Sequence, residues 1–237
     1  MAGSPTAPRQ AAFFDVDGTL ADTTIAHYYR YFMLQRLSPL RGKLWHAGFW
    51  VKCGYYLWLD RRDRLRLNVV FYRNYGGLPT AEIKAHAGEC YRQVLVPRFY
   101  PQAAACIEEH RRAGRVIVLV TGSLDFLVEP LAREIGATSV LAASLVESNG
   151  RFTGELNGPP IGTAEKASRI RRLAEREGID LSRSFAYGDS AADLPMLEAV
   201  GHPQVVNPDR ALAAAAKARA WPVHRWTVPA AGAGNGQ

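Results

Sequence analysis

Residues 13–23 read FFDVDGTLADT, in which a short apolar run ends in two acids that are one residue apart. The run, which continues back to Ala11, is typical of a central strand of a parallel sheet, buried on both faces. Carboxylates at the end of such a strand repel each other, and they are costly to bury unless a cation or hydrogen bonds stabilise them. Asp15 and Asp17 are therefore predicted to belong to a site at the carboxyl end of this strand.

Strand and helix patterns alternate in the second half of the chain. The segments RVIVLVTGS (115–123), SVLAA (139–143), RSFAYGDS (183–190) and PQVVN (203–207) are predicted strands, with helical periodicity between them. An Asn-Gly pair within residues 145–156 predicts a β-hairpin. This alternation predicts an α/β fold with a doubly wound, mostly parallel sheet, whose ligands bind at the carboxyl ends of the strands.

An insert with a different pattern follows the first strand. Residues 24–100 have helix-like apolar spacing, broken by prolines and glycines, and contain no convincing strand, so we expect an inserted α-helical cap. The core is then predicted to consist of residues 11–23 and 101–228. Residues 1–10 are predicted to be a loose leader and residues 229–237 a loose tail.

Composition limits the classes of function. The chain has 237 residues, is 48% hydrophobic and carries a formal net charge of +7, which favours anionic partners. Acids are interspersed with the basic residues, so no nucleic-acid partner is predicted. Three scattered cysteines without a CxxC pair, and an N-terminus without an apolar signal-peptide core, predict a cytoplasmic protein with reduced thiols. The apolar run 44–59 is short and contains His46 and Lys52, so no transmembrane segment is predicted.

Further polar residues occupy other predicted strand ends and a helix start. Thr121 and Gly122 end the second strand, Asp189 ends a later one, and Lys166 begins the helix between them. In a doubly wound sheet these positions converge on one crevice. The clustered carboxylates would be neutralised by a hard cation such as Mg2+, and the Thr121 hydroxyl and the Lys166 ammonium would bind phosphate oxygens.

With these motifs the chain resembles the haloacid dehalogenase superfamily of phosphohydrolases, in the branch that includes the phosphoserine phosphatases. The stretch DVDGT at 15–19 matches the first motif of that family and Thr121 its second. Lys166 matches the third motif, and the stretch GDS at 188–190 with Asp193 matches the fourth. All four motifs occur in family order and span most of the chain.

The resemblance implies a Mg2+-dependent phosphomonoesterase that acts on a small phosphorylated metabolite or a lipid-like phosphate. Asp15 would be the nucleophile, which forms an aspartyl-phosphate, and Asp17 would be the general acid and base. Mg2+ would be held by Asp15, Asp189 and the backbone carbonyl of Asp17, with Asp193 supporting the metal site. The residues expected to bind phosphate are Gly18, Thr121, Gly122 and Lys166, with backbone amides near Val16 also contributing.

Two departures from the phosphoserine phosphatase pattern leave the substrate open. Thr24 stands where those enzymes place a glutamate that meets the substrate amine, and Ala192 stands where an asparagine is usual. Phosphoserine is therefore one candidate among several. Two alternatives to the phosphomonoesterase are phosphotransfer to an acceptor other than water and a phosphate-binding module without turnover. Dehalogenation is disfavoured, because that reaction needs no second acid like Asp17.

The predicted cap is rich in aromatic and basic residues, and its role has three interpretations. The aromatic side chains could pack the cap helices together, form a dimer face, or give peripheral contact with a lipid surface. The sequence does not predict the oligomeric state. The residues concerned are Trp45, Phe49, Trp50, Tyr55, Tyr56 and Trp58, followed by Arg61, Arg62, Arg64 and Arg66.

Overall fold

The computed structural model describes residues 9–228, except for the side chains of residues 60 and 61. Within this part of the chain six parallel strands form one sheet and two antiparallel strands form a separate hairpin. The strands are β1 (Ala11–Phe14), β2 (Val116–Leu124), β3 (Ser139–Ala143), β4 (Leu145–Ser148), β5 (Arg151–Leu156), β6 (Phe185–Gly188), β7 (His202–Val206) and β8 (Val223–His224). These observations confirm the predicted α/β fold with a parallel sheet.

The order of the strands explains where a ligand can bind. The sheet runs β3-β2-β1-β6-β7-β8, so the chain builds one half outward from β1, then returns to β6 and builds the other half. The order therefore reverses between β1 and β6, which pair in parallel along Ala12–Phe14. In doubly wound sheets the loops diverge at such a point and leave a crevice at the carboxyl ends of the strands. Every residue of β1 is buried, as expected for a central parallel strand.

Helices cover both faces of the sheet and form the insert. The α-helices are α1 (Ile25–Arg36), α2 (Pro39–Arg62), α3 (Arg64–Tyr72), α4 (Thr80–Ala85), α5 (Ala87–Cys90), α6 (Pro101–Arg112), α7 (Asp125–Ile135), α8 (Thr163–Glu177), α9 (Leu194–Leu197) and α10 (Arg210–Arg219). The shorter segments are 3-10 turns at Arg73–Tyr75, Val96–Arg98, Leu181–Arg183 and Ala191–Asp193, and a π-helical turn at Tyr91–Leu95. Between β6 and β7, where the sequence has helical periodicity, the structure has a 3-10 turn followed by the four-residue α9.

The insert is helical, and it shares its apolar core with the sheet. Tyr29, Phe71 and Tyr75 of the insert are buried in the same cluster as Phe14 of β1. The β4-β5 hairpin, which turns at Asn149-Gly150 with positive φ at both residues, also bonds to the insert, because the Gly77 amide donates to Phe152 O. Packing therefore does not mark a boundary around residues 24–100, and the division into core and cap stays a prediction.

The ends of the described chain bear on the predicted leader and tail. Residues 1–8 and 229–237 lie outside the described residues. The predicted tail is therefore not described, and the predicted leader is described only at Arg9 and Gln10. The Arg9 amide donates to Gly178 O at 3.2 Å, and the Val116 amide donates to Gln10 O at 2.9 Å, so both residues belong to the folded core. Among the described helices, none combines the length and apolar character needed to cross a membrane. The cytoplasmic location and the exclusion of nucleic acid stay predictions.

Candidate active site

The predicted site residues meet at the carboxyl ends of β1, β2 and β6. Asp15 directly follows β1, Asp189 follows β6, and Lys166 lies in the first turn of α8. Thr121 lies within β2, which continues three residues beyond it. Asp193 ends the 3-10 turn that precedes α9. The parallel topology thus brings together residues that are up to 178 positions apart in the sequence.

A buried lysine links two of the acids. The Lys166 ammonium donates to Asp15 Oδ1 and to Asp193 Oδ1, both at 2.6 Å, and all three side chains are at most 6% exposed. Burial disfavours the charged form of Lys166, but the two carboxylates outweigh it and raise the pKa of the ammonium. Burial raises the pKa of Asp15 to about 6, with Lys166 acting in the opposite direction. At neutral pH the site therefore contains an ammonium ion and an Asp15 that is mostly carboxylate.

Three carboxylates in this cluster fit a hard cation. One oxygen each of Asp15, Asp189 and Asp193 lies within 4.8 Å of the other two. Burial, followed by the charges of Asp193 and Asp15, raises the pKa of Asp189 well above its ordinary value. The Thr19 hydroxyl also links the cluster, since it lies 3.3 Å from Asp15 Oδ2 and 3.2 Å from Asp189 Oδ1. Such a concentration of oxygen ligands is what Mg2+ or another hard divalent cation requires.

Glycine at position 18 permits this close arrangement of acids. Its φ is +89°, a conformation that residues with a side chain rarely adopt. A Cβ atom at Gly18 would lie 2.3 Å from Asp189 Oδ2, so any side chain there would displace the Asp189 carboxylate. The glycine of the DVDGT motif is therefore needed both for the turn and for the approach of Asp189.

The Asp193 carboxylate accepts four hydrogen bonds, compared with two at Asp15. Its Oδ2 accepts from the Asp189 amide at 3.2 Å, from the Ser190 amide at 3.1 Å and from Ser190 Oγ at 3.0 Å, while its Oδ1 accepts from Lys166. Burial raises the pKa of Asp193, but the charge and hydrogen bond of Lys166 outweigh this and lower it below its ordinary value. Asp193 thus fixes the loop that carries Asp189 and the position of Lys166.

The Asp17 carboxylate has different partners and accepts hydrogen bonds from two hydroxyl groups. The Tyr28 hydroxyl of α1 donates to Asp17 Oδ1 at 3.0 Å, and Ser123 Oγ donates to Asp17 Oδ2 at 2.5 Å. Tyr28 lies 3.1 Å from Thr23 Oγ1 as well and is buried. The two acids of the motif therefore occupy different environments, one beside an ammonium ion and the other beside neutral hydroxyls.

The second motif supplies a tightly packed stretch of backbone. Thr121 Oγ1 accepts from the Ser123 amide at 3.0 Å, so this hydroxyl shapes the turn of the chain. A Cβ atom at Gly122 would lie 2.9 Å from Asn68 Nδ2 and 2.9 Å from Ile161 O. The Tyr72 hydroxyl of α3 donates to Gly122 O at 2.7 Å. Residues of the insert thus hold the backbone that is predicted to contact phosphate.

A cavity of about 620 Å3 lies over these residues, between the strand ends and the insert. Its floor includes Asp15, Asp17 and Lys166. The insert contributes mostly apolar side chains to the lining, together with Thr24, His27, Arg30, Arg64 and Asn68. The insert residues that line it include Ile25, Phe49, Trp50, Cys53, Tyr56, Leu57, Leu67 and Phe71.

The sequence did not identify the groups that fix the acids. Thr19 and Ser123 stand inside the motifs DVDGT and TGS, where hydroxyl residues beside the predicted site were a visible signal. Tyr28 and Tyr72 lie on helices of the insert, and helical periodicity does not show which of its tyrosines reach the strand ends. Asp22, an exposed acid that also lines the cavity, was overlooked as well.

Comparison with known proteins places this geometry in a family. A family model described as haloacid dehalogenase-like hydrolase matches residues 12–198. Probable phosphatase Rv3661 of Mycobacterium tuberculosis (strain ATCC 25618 / H37Rv) is 36% identical over 231 residues, which cover 94% of this chain and 78% of that protein. Phosphoserine phosphatase SerB1 of the same strain is 31% identical over 225 residues, which cover 92% of this chain and 71% of that protein.

A solved structure agrees with this placement. The crystal structure of a protein with unknown function from Bordetella pertussis Tohama I has a TM-score of 0.77 and 26% identity, covering 91% of this chain and 98% of that one. The region matched by the family model, residues 12–198, contains the strand ends and the acidic cluster described above. The chain therefore belongs to the haloacid dehalogenase-like hydrolases, in the branch of the phosphoserine phosphatases, and is a phosphatase-type hydrolase.

Proposed function

We propose that the protein is a Mg2+-dependent phosphomonoesterase in which Asp15 is the nucleophile and Asp17 the general acid and base. The observation that carries this proposal is the different setting of the two carboxylates. Asp15 lies 2.6 Å from the Lys166 ammonium within the acidic cluster, whereas Asp17 accepts from the hydroxyls of Tyr28 and Ser123. This difference supports attack on phosphorus by Asp15 and proton transfer by Asp17.

The reaction then takes two displacements at phosphorus. A carboxylate oxygen of Asp15 attacks the phosphorus atom and the bond to the leaving oxygen breaks, while Asp17, which enters this step as the protonated carboxylic acid, gives its proton to that oxygen and becomes a carboxylate. In the second displacement Asp17 takes a proton from water as the water oxygen attacks phosphorus. The bond between Asp15 and phosphorus breaks, inorganic phosphate leaves, and both carboxyl groups return to their starting states.

The remaining residues stabilise charge and position the groups. Lys166 and the backbone around Gly18 and Gly122 would bind the oxygens of the transferring phosphoryl group, because this transfer depends chiefly on positioning and charge stabilisation. Mg2+ would be held by Asp15, Asp189 and the Asp17 carbonyl, and when bound it supplies positive charge beside the phosphoryl oxygens. Asp193 would support this arrangement through Lys166 and the Asp189 loop.

The direct test is an Asp15→Asn variant, assayed by release of inorganic phosphate with Mg2+ and with excess chelator. Without the nucleophile we expect turnover to fall by at least about a thousandfold, while circular dichroism and the melting temperature show a folded protein. Asp180→Asn is the matched control, because Asp180 is half-buried outside the cavity and accepts from the Ser182 amide, which an asparagine oxygen can also do. Wild-type turnover in Asp15→Asn, after deamidation is excluded, or full activity in chelator would contradict the proposal.

The cavity favours a leaving group with an apolar part. Its 620 Å3 lies within the range of about 300–1,000 Å3 for pockets that enclose drug-sized ligands, and the insert lines it with aromatic side chains. Thr24 lines the cavity but is engaged at the start of α1, where its hydroxyl lies 3.1 Å from His27 Nδ1. Asp22 and Asp209 are acids of the cavity lining that could meet an amine, and their exposure leaves both screened by solvent.

We therefore expect phosphoserine not to be the best substrate. An ammonium group desolvated in a closed site without a counter-charge costs several kcal/mol, or on the order of a hundredfold in specificity. The measurement compares kcat/KM for phosphoserine with that for its analogue lacking the amine, 3-phosphohydroxypropionate, and for longer alkyl phosphates. If phosphoserine leads by about tenfold or more, the inference from Thr24 is wrong. An Asp22→Asn variant would then test whether Asp22 binds the amine.

A further inference from the structure

Helix α2 exposes an apolar face to solvent. Seven of its large apolar side chains are between 48% and 78% exposed, although their residue types are usually buried, and five of the seven share one side of the helix. Single exposed apolar residues are ordinary on protein surfaces, but a contiguous group of them indicates an interaction site. We call this group the outer face of α2, and it consists of Leu40, Leu44, Val51, Tyr55 and Trp58.

The spacing of these residues places them on one side of the helix. They follow one another at intervals of three, four or seven residues, which returns to the same side of an α-helix at each step. Phe49, which is 6% exposed, points to the opposite side and packs on Tyr29 in the core. The outer face extends over 18 residue steps from Leu40 to Trp58, or roughly 27 Å at 1.5 Å per residue. Helix α2 is thus apolar on two sides, only one of which the described fold covers.

The charged residues along α2 are mostly cationic, and Asp60 is the acid near the end of the helix. No aspartate or glutamate occurs between residues 25 and 59, whereas Arg41, Lys43 and Lys52 lie along α2. At the end of the face, the Arg62 guanidinium lies 5.0 Å from the centre of the Trp58 ring. Cationic residues that flank an apolar, tryptophan-containing helix face complement an anionic lipid surface.

We propose that the outer face of α2 binds the surface of an anionic lipid bilayer, with the helix lying in the plane of the interface. The apolar side chains enter the boundary between headgroups and acyl chains, and Arg41, Lys43 and Lys52 interact with lipid phosphates. A second copy of the chain is a poorer occupant, because pairing two such faces brings Arg41, Lys43 and Lys52 of both copies together, and each α2 offers only Asp60, near its end, to offset them.

The position of the cavity gives this contact a consequence. Trp50 and Leu57 of α2 line the cavity and are themselves 64% and 61% exposed, so the helix that contacts the bilayer also forms part of the cavity wall. Bilayer binding would therefore bring the mouth of the cavity next to the lipid headgroups. The binding itself requires no turnover, so the proposal does not depend on the phosphatase mechanism.

The test is sedimentation of the full chain with vesicles of phosphatidylcholine alone and of phosphatidylcholine mixed with phosphatidylglycerol. We expect the wild-type chain to bind the mixed vesicles and to dissociate at high salt, because the Debye length falls from about 10 Å at 0.1 M to about 3 Å at 1 M salt. The double variant Leu44→Gln/Val51→Gln should bind at least about tenfold more weakly, since it lacks two of the apolar side chains that enter the bilayer. Glutamine keeps the net charge and the helix propensity of these positions.

The matched control is Val96→Gln/Val223→Gln, which changes two exposed valines outside α2 and should bind within about twofold of wild type. A Lys43→Gln/Lys52→Gln variant should bind mixed vesicles more weakly and with a smaller salt dependence. Circular dichroism and hydrolysis of a soluble phosphate establish that each variant is folded, as neither Leu44 nor Val51 lines the cavity.

Three outcomes would overturn the proposal. The first is a folded wild-type chain that does not bind the mixed vesicles. The second is a Leu44→Gln/Val51→Gln variant that binds them as well as the control does. The third is a concentration-dependent dimer, without vesicle binding, that this variant abolishes, which would assign the face to a second copy of the chain.

Discussion

Replacing Lys166 by methionine tests whether the buried lysine holds the acidic cluster together. Methionine keeps most of the side-chain volume and removes the charge. In the native protein the Lys166 ammonium lies 2.6 Å from both Asp15 Oδ1 and Asp193 Oδ1. In Lys166→Met these two carboxylates and Asp189 stay close together without the ammonium, so the variant should be destabilised.

The structure allows the size of this effect to be worked out. Removing one partner of a buried ion pair costs about 3–5 kcal/mol, because the remaining charge stays buried without compensation. In a chain of 237 residues, 1 kcal/mol corresponds to a change in melting temperature of about 2–4 °C. Lys166→Met should therefore melt roughly 6–20 °C below wild type in chelator. Mg2+ should raise the melting temperature of the variant more than that of wild type, because the carboxylates no longer interact with the ammonium.

The assay is calorimetric unfolding in chelator, with Lys217→Met as the matched control. Lys217 is an exposed lysine of α10, and its replacement should change the unfolding free energy by no more than about 0.5 kcal/mol. A double-mutant cycle with Asp193→Asn should give a coupling of at least about 1 kcal/mol between positions 166 and 193. If Lys166→Met is as stable as Lys217→Met, or if the coupling vanishes, the ion pairs do not stabilise the fold and the reasoning is refuted.

Three further predictions concern proton transfer, the cation and acid stability. Asp17→Asn should slow the hydrolysis of alkyl phosphates by about 10²–10⁴-fold. It should slow the hydrolysis of aryl phosphates less, because a good leaving group needs no proton. Equal losses in the two series would argue against the general-acid role of Asp17. Ca2+ should inhibit the Mg2+-supported activity, because it takes more ligands at longer distances; equal phosphate release with either cation would contradict this. Burial, with the nearby Arg115, lowers the pKa of His110 to about 4, so the unfolded chain, whose histidine pKa is 6.5, binds more protons between these values. His110 should therefore lower the unfolding free energy by up to about 1.4 kcal/mol per pH unit as the pH falls from 6.5 towards 4. Denaturant titrations at several pH values should show this loss in wild type and not in His110→Gln.

The convergence of the acids could be predicted from sequence because it follows from topology. Parallel strands deliver their carboxyl ends to one edge of the sheet, so Asp15 and Asp189 had to meet once β1 and β6 were recognised as strands. Lys166 could be added because it lies in the first turn of the helix that leads towards β6. These inferences needed strand direction and order, which alternation in the sequence supplies, and no knowledge of side-chain packing.

The environment of Asp17 could not be predicted in the same way. It depends on Tyr28, which reaches the strand end from α1, and this contact follows from how the insert packs on the sheet. The same applies to Tyr72, which holds Gly122 O from α3. Apolar spacing shows that a helix has a packed side, but it does not show which hydroxyl groups of that side lie next to a distant loop.

Helix α2 shows a different limit of sequence reasoning. Packing of the insert helices accounts for Trp45, Phe49 and Tyr56, which lie against aromatic side chains of α1 and α3. It does not account for Tyr55 and Trp58, which are about half exposed. Because α2 is apolar on two opposite sides, its sequence does not distinguish the side that packs from the side left open. The structure makes that distinction, and the cations beside the open side are then the feature that favours an anionic lipid surface over a second protein chain.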